Sequence, residues 1–147
     1  MIRRPQEFKP QEIKDILWSF SKTCIRHPEL FRSTAEHLVG REEDQFATQR
    51  GLSDFSPQAL GNMAWAFARQ AQLAEEVAER YKPKSVTPVS GGRLASKSAI
   101  CLDIGEGLIY KLFSEIAETN LRVHNELSAL RPQDISNTAW TVGFLAI

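Results

Sequence analysis

The sequence predicts an all-α fold in which helical hairpins repeat and stack as a short α-solenoid. One sequence segment, hereafter the phrase, occurs three times, and its copies at residues 8–20, 55–67 and 130–142 align without a gap. All three tryptophans of the chain fall at one column of that phrase, eight residues after a proline. Beyond the proline, each copy spaces its apolar residues as an α-helix does. Self-similarity of this kind is the signature of a repeat protein.

Each copy is expected to form a helix that begins near its proline, which is Pro10, Pro57 or Pro132. Proline is favoured in a first helical turn because its missing N–H has no partner there anyway. The apolar residues that follow make one stripe, since successive residues are about 100° apart around a helix. The stripe holds Ile13, Ile16, Leu17 and Phe20 in the first copy and Leu60, Met63, Ala64 and Phe67 in the second.

The tryptophans Trp18, Trp65 and Trp140 lie off this stripe, about 140° around the helix from its first member. A helix that is apolar on two sides must be covered on two sides, and a stack of hairpins achieves this. We therefore expect all three rings to pack in the core between neighbouring helices. Stacking of nucleobases on the rings is the alternative.

A second pattern, Leu-x-x-x-x-Ala-Glu, predicts the partner helices and recurs at 30–36, 73–79 and 112–118. Together the two patterns predict one helical-repeat domain over residues 1–147. Its parts are repeat 1 (about 8–40), repeat 2 (about 55–81), a basic irregular loop (about 82–105) and a helical pair (about 106–145). The expected antiparallel pairs are 11–21 with 29–39, 58–70 with 73–81, and residues near 106–120 with 133–145.

Composition and charge limit the functions that the chain could have. The chain has 18 basic and 18 acidic side chains, so no global field draws it to nucleic acid or to a membrane. No apolar run reaches the length of about 18 residues that a membrane span needs, so no membrane insertion is expected. The two cysteines make no disulfide framework. The histidines and cysteines lack metal-ligand spacing and no nucleophile–base set stands out, so we expect no enzyme, no cofactor and no metal site.

The segment from Pro132 to Trp140, Pro-Gln-Asp-Ile-Ser-Asn-Thr-Ala-Trp, resembles the first helix of octotricopeptide repeats. It is also similar to repeats found upstream of RAP domains in FAST-kinase-like organellar proteins. The resemblance covers the three copies of the phrase and is weak or absent elsewhere. It implies a solenoid that binds particular transcripts in a chloroplast or mitochondrion and promotes their maturation, stability or translation. The chain departs from the family in showing no RAP domain and in its irregular tryptophan spacing of 47 and then 75 residues.

Two groups of residues are candidates for RNA contacts. Asp15, Asn62 and Asn137 share a column three residues before the tryptophan. With one such side chain in each repeat, each repeat could form a hydrogen bond to the edge of one base. The structural alternative is that the side chain forms a hydrogen bond to the backbone of the neighbouring repeat. The second group lies in the basic stretch 80–98, which has no acidic residue and either tracks phosphates or forms a solvated linker. Its candidate contacts are Lys82, Lys84, Arg93 and Lys97.

Two functions from different classes stay open. The first is a non-catalytic module that binds single-stranded RNA. The second is a protein-interaction scaffold built from helical hairpins, which the neutral net charge favours. The chain stops at Ile147, directly after the apolar tail of a repeat helix. We therefore expect either that the chain is a fragment of a longer array with further repeats, or that a protein partner covers this end.

Overall fold

The computed structural model describes residues 7–40, 52–80 and 104–123, together with residues 131–133, 135–137 and 139. Its elements are α1 (Pro10–Lys22), α2 (Pro28–Val39), a short 3₁₀ helix (Leu52–Asp54), α3 (Pro57–Arg80) and α4 (Glu106–Val123). The third copy of the phrase adds helical positions at 132, 133, 135–137 and 139. Over these residues the regular structure is helical and includes no strand, which confirms the predicted all-α class.

The starts of the helices follow the prolines. Pro10 and Pro57 are the first residues of α1 and α3, and Pro132 is helical in the third copy. Ahead of α2, the Nδ1 atom of His27 accepts the backbone N–H of Leu30 at 3.2 Å. This bond satisfies one of the N–H groups that have no partner within a first helical turn.

α1 ends in a Schellman turn that contains a cysteine where glycine is usual. The N–H of Ile25 donates to the carbonyl of Phe20 at 2.9 Å, and the N–H of Cys24 donates to that of Ser21 at 3.3 Å. Such a turn needs one residue in the left-handed conformation, and Cys24 supplies it with φ 58°. The turn ends α1 and leaves only a short connection before α2.

α3 shows that the predicted antiparallel pair over 58–70 and 73–81 is wrong. Residues 58–70 and 73–80 belong to one continuous helix of 24 residues. The sequence at 70–72 is Gln-Ala-Gln, which has no glycine or proline and consists of good helix formers. Because nothing there ends a helix, the second Leu-x-x-x-x-Ala-Glu pattern extends α3 instead of forming a partner. The helices expected at 11–21 and 29–39 are present as α1 and α2. They do not form the expected pair, because α1 packs mainly against α3 and α2 packs mainly against α4.

α1 lies against α3, and the two helices are parallel and in register. The rings of Trp18 and Trp65 have centroids 6.4 Å apart. Just beyond the end of α1, the carbonyl of Ile25 accepts from the side-chain amide of Gln70 at 2.9 Å. Contacts that advance together along both segments define a parallel pair. Since Trp18 and Trp65 share a column of the phrase, equivalent residues of the first two copies are neighbours.

The second pairing brings α2 against α4, and one core joins it to α1 and α3. The rings of Phe31 in α2 and Phe67 in α3 meet edge to face with centroids 5.0 Å apart, and both are fully buried. α4 adds Leu112 and Ile116, and α1 adds Leu17. Each such side chain contributes about 1.5–3 kcal/mol by leaving water. All four predicted stripe residues of the second copy lie in this core.

The third copy differs from the first two in what it buries. Ile135 is 45% exposed, whereas Ile13 and Leu60 in the same column are 5% and 0% exposed. Of the pair expected near 106–120 and 133–145, α4 covers the first helix. Most of the second lies outside the described residues.

Candidate nucleic-acid interface

Over most of its length, α3 is exposed to solvent only along one line of residues. Between its first turn and Gln72, every residue off this line is buried. The residues on the line are Gln58, Asn62, Trp65, Arg69 and Gln72. Spacings that alternate four and three residues keep them on one face of the helix. Up to Gln72, α3 is therefore able to meet a ligand only through this face, whereas residues 76–80 are all exposed.

α1 carries the same line 47 residues earlier in the sequence, and its members are all exposed. We call the two lines together the paired stripe. It consists of Gln11, Asp15, Trp18 and Lys22 on α1 with Gln58, Asn62, Trp65 and Arg69 on α3. Because the helices are parallel and in register, the two lines run side by side. Equivalent positions on the two helices form four columns, which hold in order a glutamine, an aspartate or asparagine, a tryptophan, and a cation.

The tryptophans of the paired stripe lie at the surface, so the prediction that they pack in the core is wrong for Trp18 and only partly right for Trp65. Trp18 is 39% exposed, and Trp65 is half-buried and rests on the core. The planes of the two rings are tilted by 38°. α1 and α3 bury the stripes that lie about 140° away around each helix, so the rings meet at the edge of the interface instead of entering it. Trp140 lies outside the residues whose side chains are described.

A positive charge stands beside the more exposed ring. The Nζ atom of Lys22 is 5.6 Å from the centroid of Trp18, which is within the range of a cation–π interaction. Lys22 follows Trp18 by four residues, so the two side chains are neighbours on the same face of α1. An exposed π-face and a cation are thus available together.

The glutamine and Asp/Asn columns are joined by hydrogen bonds in α1 and in the third copy. In α1, Nε2 of Gln11 donates to the Asp15 carboxylate at 3.2 Å. In the third copy, Nε2 of Gln133 donates to Oδ1 of Asn137 at 2.9 Å. The Asp15 carboxylate also accepts from Lys14, and this hydrogen bond is the main reason that the pKa of Asp15 is lowered. These bonds hold the polar side chains along the exposed face.

Arg69 is held in place by three partners. Its Nη1 donates to Oε1 of Gln72 and to Oε1 of Glu76, both at 3.0 Å, and its Nη2 donates to Sγ of Cys24 at 3.4 Å. The contact with Cys24, followed by the ion pair with Glu76, raises the pKa of Arg69. Because Cys24 closes the turn after α1, this contact also ties α1 to α3 beside the cation column.

Behind the paired stripe, one buried side chain fixes the register of α1 on α3. Oε1 of Gln70 accepts the backbone N–H of His27 at 3.2 Å. Its Nε2 donates to the carbonyl of Ile25 at 2.9 Å and to the hydroxyl of Ser21 at 3.4 Å. That hydroxyl in turn donates to the carbonyl of Ala66 at 2.9 Å. The bonds among Gln70, Ser21 and Ala66 are buried, which makes them costly to lose.

The structure brings some of the sequence-predicted residues together and leaves others untested. Asp15 and Asn62 lie in the paired stripe, and Asn137 takes the same place in the third copy. Four predicted phosphate contacts lie outside the described residues, namely Lys82, Lys84, Arg93 and Lys97. Within the described ranges, no group of histidine, cysteine, aspartate and glutamate is placed to hold a metal ion. In those same ranges, no helix has the length and apolar character that a membrane span requires.

Two columns of the paired stripe were missed by reasoning from the sequence. The glutamines Gln11, Gln58 and Gln133 follow the proline in every copy, but only the proline was given a role, at the start of the helix. Their invariance among the copies was the available signal. The cation column, Lys22 and Arg69, gives a weaker signal because the third copy has phenylalanine there.

Comparisons of the chain with protein-family models, with curated proteins and with solved structures return no match. The resemblance to octotricopeptide repeats therefore stays a prediction from the three copies of the phrase.

Proposed function

We propose that this chain is a non-catalytic helical-repeat module that binds single-stranded RNA through the paired stripe. The observation that carries the proposal is the repeated content of that face. Two neighbouring helices present the same order of glutamine, Asp/Asn, tryptophan and cation toward solvent. Burial elsewhere on α3 leaves this face as its main route to a ligand.

Each column matches one chemical feature of an unpaired nucleotide. Aromatic rings stack on bases, and every base has a π-face. Amide and carboxylate groups bond to the edges of bases, which a single strand exposes. Lys22 and Arg69 are cations that suit the phosphates between bases. The three features recur along a strand, as the columns recur between α1 and α3.

The parallel, in-register packing of α1 on α3 supports a solenoid arrangement. In an α-solenoid, equivalent helices of successive repeats stack side by side, and the stack presents equivalent residues in rows. The pairing of α2 with α4 would then form the second layer of the same stack. The long α3 is a departure from simple hairpins, because its second half continues the first helix of repeat 2.

The resemblance to octotricopeptide and RAP-associated repeats supports a role in an organelle. We propose that the module acts in a chloroplast or mitochondrion, in the maturation, stability or translation of transcripts.

Fluorescence anisotropy of a labelled single-stranded RNA pool, titrated with the full chain over a range of salt, tests the proposal. We expect binding at low salt that weakens as salt rises. For single strands the slope of log K against log salt is about −0.7 for each phosphate contacted. Lys22→Ala should reduce this slope by about 0.7, because it removes one contact. Arg122→Ala, which alters an exposed cation of α4 outside the paired stripe, is the matched control and should leave the slope unchanged.

The second candidate, a protein-interaction scaffold, is favoured by the neutral charge of the chain and by the exposed Ile135. The two candidates give opposite results in the same titration. If the wild-type chain binds no single-stranded RNA even at low salt, the RNA proposal fails and the scaffold becomes the better explanation of the repeated face.

A further inference from the structure

We infer that Trp18 and Trp65 form a clamp that takes one nucleobase between their rings, with a preference for cytosine over uracil set by Asp15. This inference rests on the proposed function, since it assigns a base site within the RNA-binding face. It departs from the expectation that the tryptophans pack in the core and develops the alternative, in which they stack on bases.

The separation of the rings is close to that needed for a sandwich. A base between two rings requires two contact distances of about 3.5–4 Å each, or about 7–8 Å in total. The centroids of Trp18 and Trp65 are 6.4 Å apart, and the planes are tilted by 38°. Opening by about 1 Å, with rotation of one ring toward the parallel orientation, would admit a base.

The two rings differ in how firmly they are held, which indicates which one moves. Trp65 is half-buried and packs on the core, so it forms the fixed wall of the clamp. Trp18 is 39% exposed and has the flexible side chain of Lys22 as a neighbour. Rotation of Trp18 therefore disturbs little of the core. When a base stacks on Trp18, Lys22 is free to exchange its contact with the ring for one with the adjacent phosphate.

Asp15 supplies the preference among bases. It lies three residues before Trp18 on the same face of α1, so the two side chains are neighbours. An ionised carboxylate only accepts hydrogen bonds. An aspartate is ionised at neutral pH at its ordinary pKa, and the hydrogen bond with Lys14 lowers the pKa of Asp15 further. The N4 amino group of cytosine is a donor that suits this acceptor, whereas the corresponding position of uracil is a carbonyl.

Binding of short oligocytidine and oligouridine, about eight nucleotides long, to the full chain tests the clamp. Trp18→Leu removes the π-face at an exposed position and should weaken binding about 10- to 100-fold, because stacking on an aromatic ring makes a large contribution for each base. Trp18→Phe keeps a smaller ring and should bind with intermediate affinity. Tyr110→Leu, at an exposed aromatic residue of α4, is the matched control and should bind within about twofold of wild type. Asp15→Asn should reduce the ratio of cytidine to uridine affinity.

The outcomes separate the clamp from the proposed function. Wild-type binding with an unchanged affinity in Trp18→Leu would leave the RNA-binding function standing and overturn the clamp. An unchanged cytidine-to-uridine ratio in Asp15→Asn would overturn the assignment of the preference to Asp15. Failure of the wild-type chain to bind either oligonucleotide would overturn the function and the clamp together.

Discussion

At the scale of single residues, the connection between α1 and α3 depends on a side chain that has no place in the repeated phrase. Gln70 is 5% exposed and bonds to the backbone of Ile25 and of His27. A glutamine in this position serves both a donor and an acceptor, which no apolar residue of similar size is able to do. The in-register contact of the paired stripe is therefore maintained from behind, by a buried amide.

Gln70→Ala should lower the free energy of unfolding by about 1–3 kcal/mol, because it leaves a partly buried carbonyl and a partly buried N–H without the side-chain partner. Gln70→Glu, which keeps the acceptor and the shape but loses the donor, should also be destabilising at neutral pH. Urea denaturation measures both. Gln58→Ala on the exposed face of the same helix is the control and should change the free energy by no more than about 0.5 kcal/mol. A loss in Gln70→Ala as small as that of the control would show that the amide does not hold the two segments together.

At the scale of elements, the sequence predicts where helices begin better than it predicts where they end. The prolines and the apolar spacing of the first two copies place the starts of α1 and α3 correctly. The hairpin in repeat 2 was wrong because it was inferred from a recurring pattern where the chain has no helix-ending residue. The surface position of Trp18 was not predictable from its angle around the helix alone. That angle shows which way a side chain points but not which neighbouring helix covers it.

The continuity of α3 gives a direct prediction about Gln72, in the middle of the segment once expected to be a turn. Gln72→Pro should cost about 3 kcal/mol or more, because proline inside a helix removes a backbone hydrogen bond and clashes with the preceding turn. Gln72→Ala, which keeps the helix and removes only the contact with Arg69, should have a small effect. Thermal unfolding monitored by circular dichroism compares the two variants. Equal stability of Gln72→Pro and wild type would mean that a turn interrupts α3 at this point.

α4 contains a carboxyl group that the fold disfavours in its charged form. Burial raises the pKa of Glu115, Glu118 adds to this rise, and Lys111 opposes it. A raised pKa in the folded state means that the folded chain holds the proton more tightly than the unfolded chain. The contribution of Glu115 to stability is therefore most favourable at low pH and is lost as pH rises through its pKa.

Glu115→Gln should accordingly be more stable than wild type at pH 7, and the difference should shrink as pH falls below the usual carboxyl range, about pH 4. Urea denaturation at several pH values measures this trend. A Glu115→Gln variant that is less stable than wild type at pH 7 would show that the attraction of Lys111 outweighs the cost of burial.

At the scale of the whole molecule, two pairs of helices share one core, and the repeated phrase faces solvent along one side. The all-α class and the in-register pairing of the first two copies both follow from the repeat, since like segments that bury like stripes stack in the same way. The paired stripe could be identified only from the structure, because the exposure of its residues depends on how α1, α2 and α4 cover α3. The sequence marks its columns by their recurrence, and the packing shows which of them meet solvent.

The central claim is that the paired stripe binds single-stranded RNA. Nuclear magnetic resonance of the ¹⁵N-labelled full chain, titrated with RNA at low salt, tests this claim most directly. We expect the indole N–H signals of Trp18 and Trp65 and the side-chain amide signals of Gln11 and Gln58 to shift together. The buried amide of Asn120 on α4 should shift much less. Shifts confined to residues outside the paired stripe, or no shift at any RNA concentration, would contradict the assignment of RNA binding to this face.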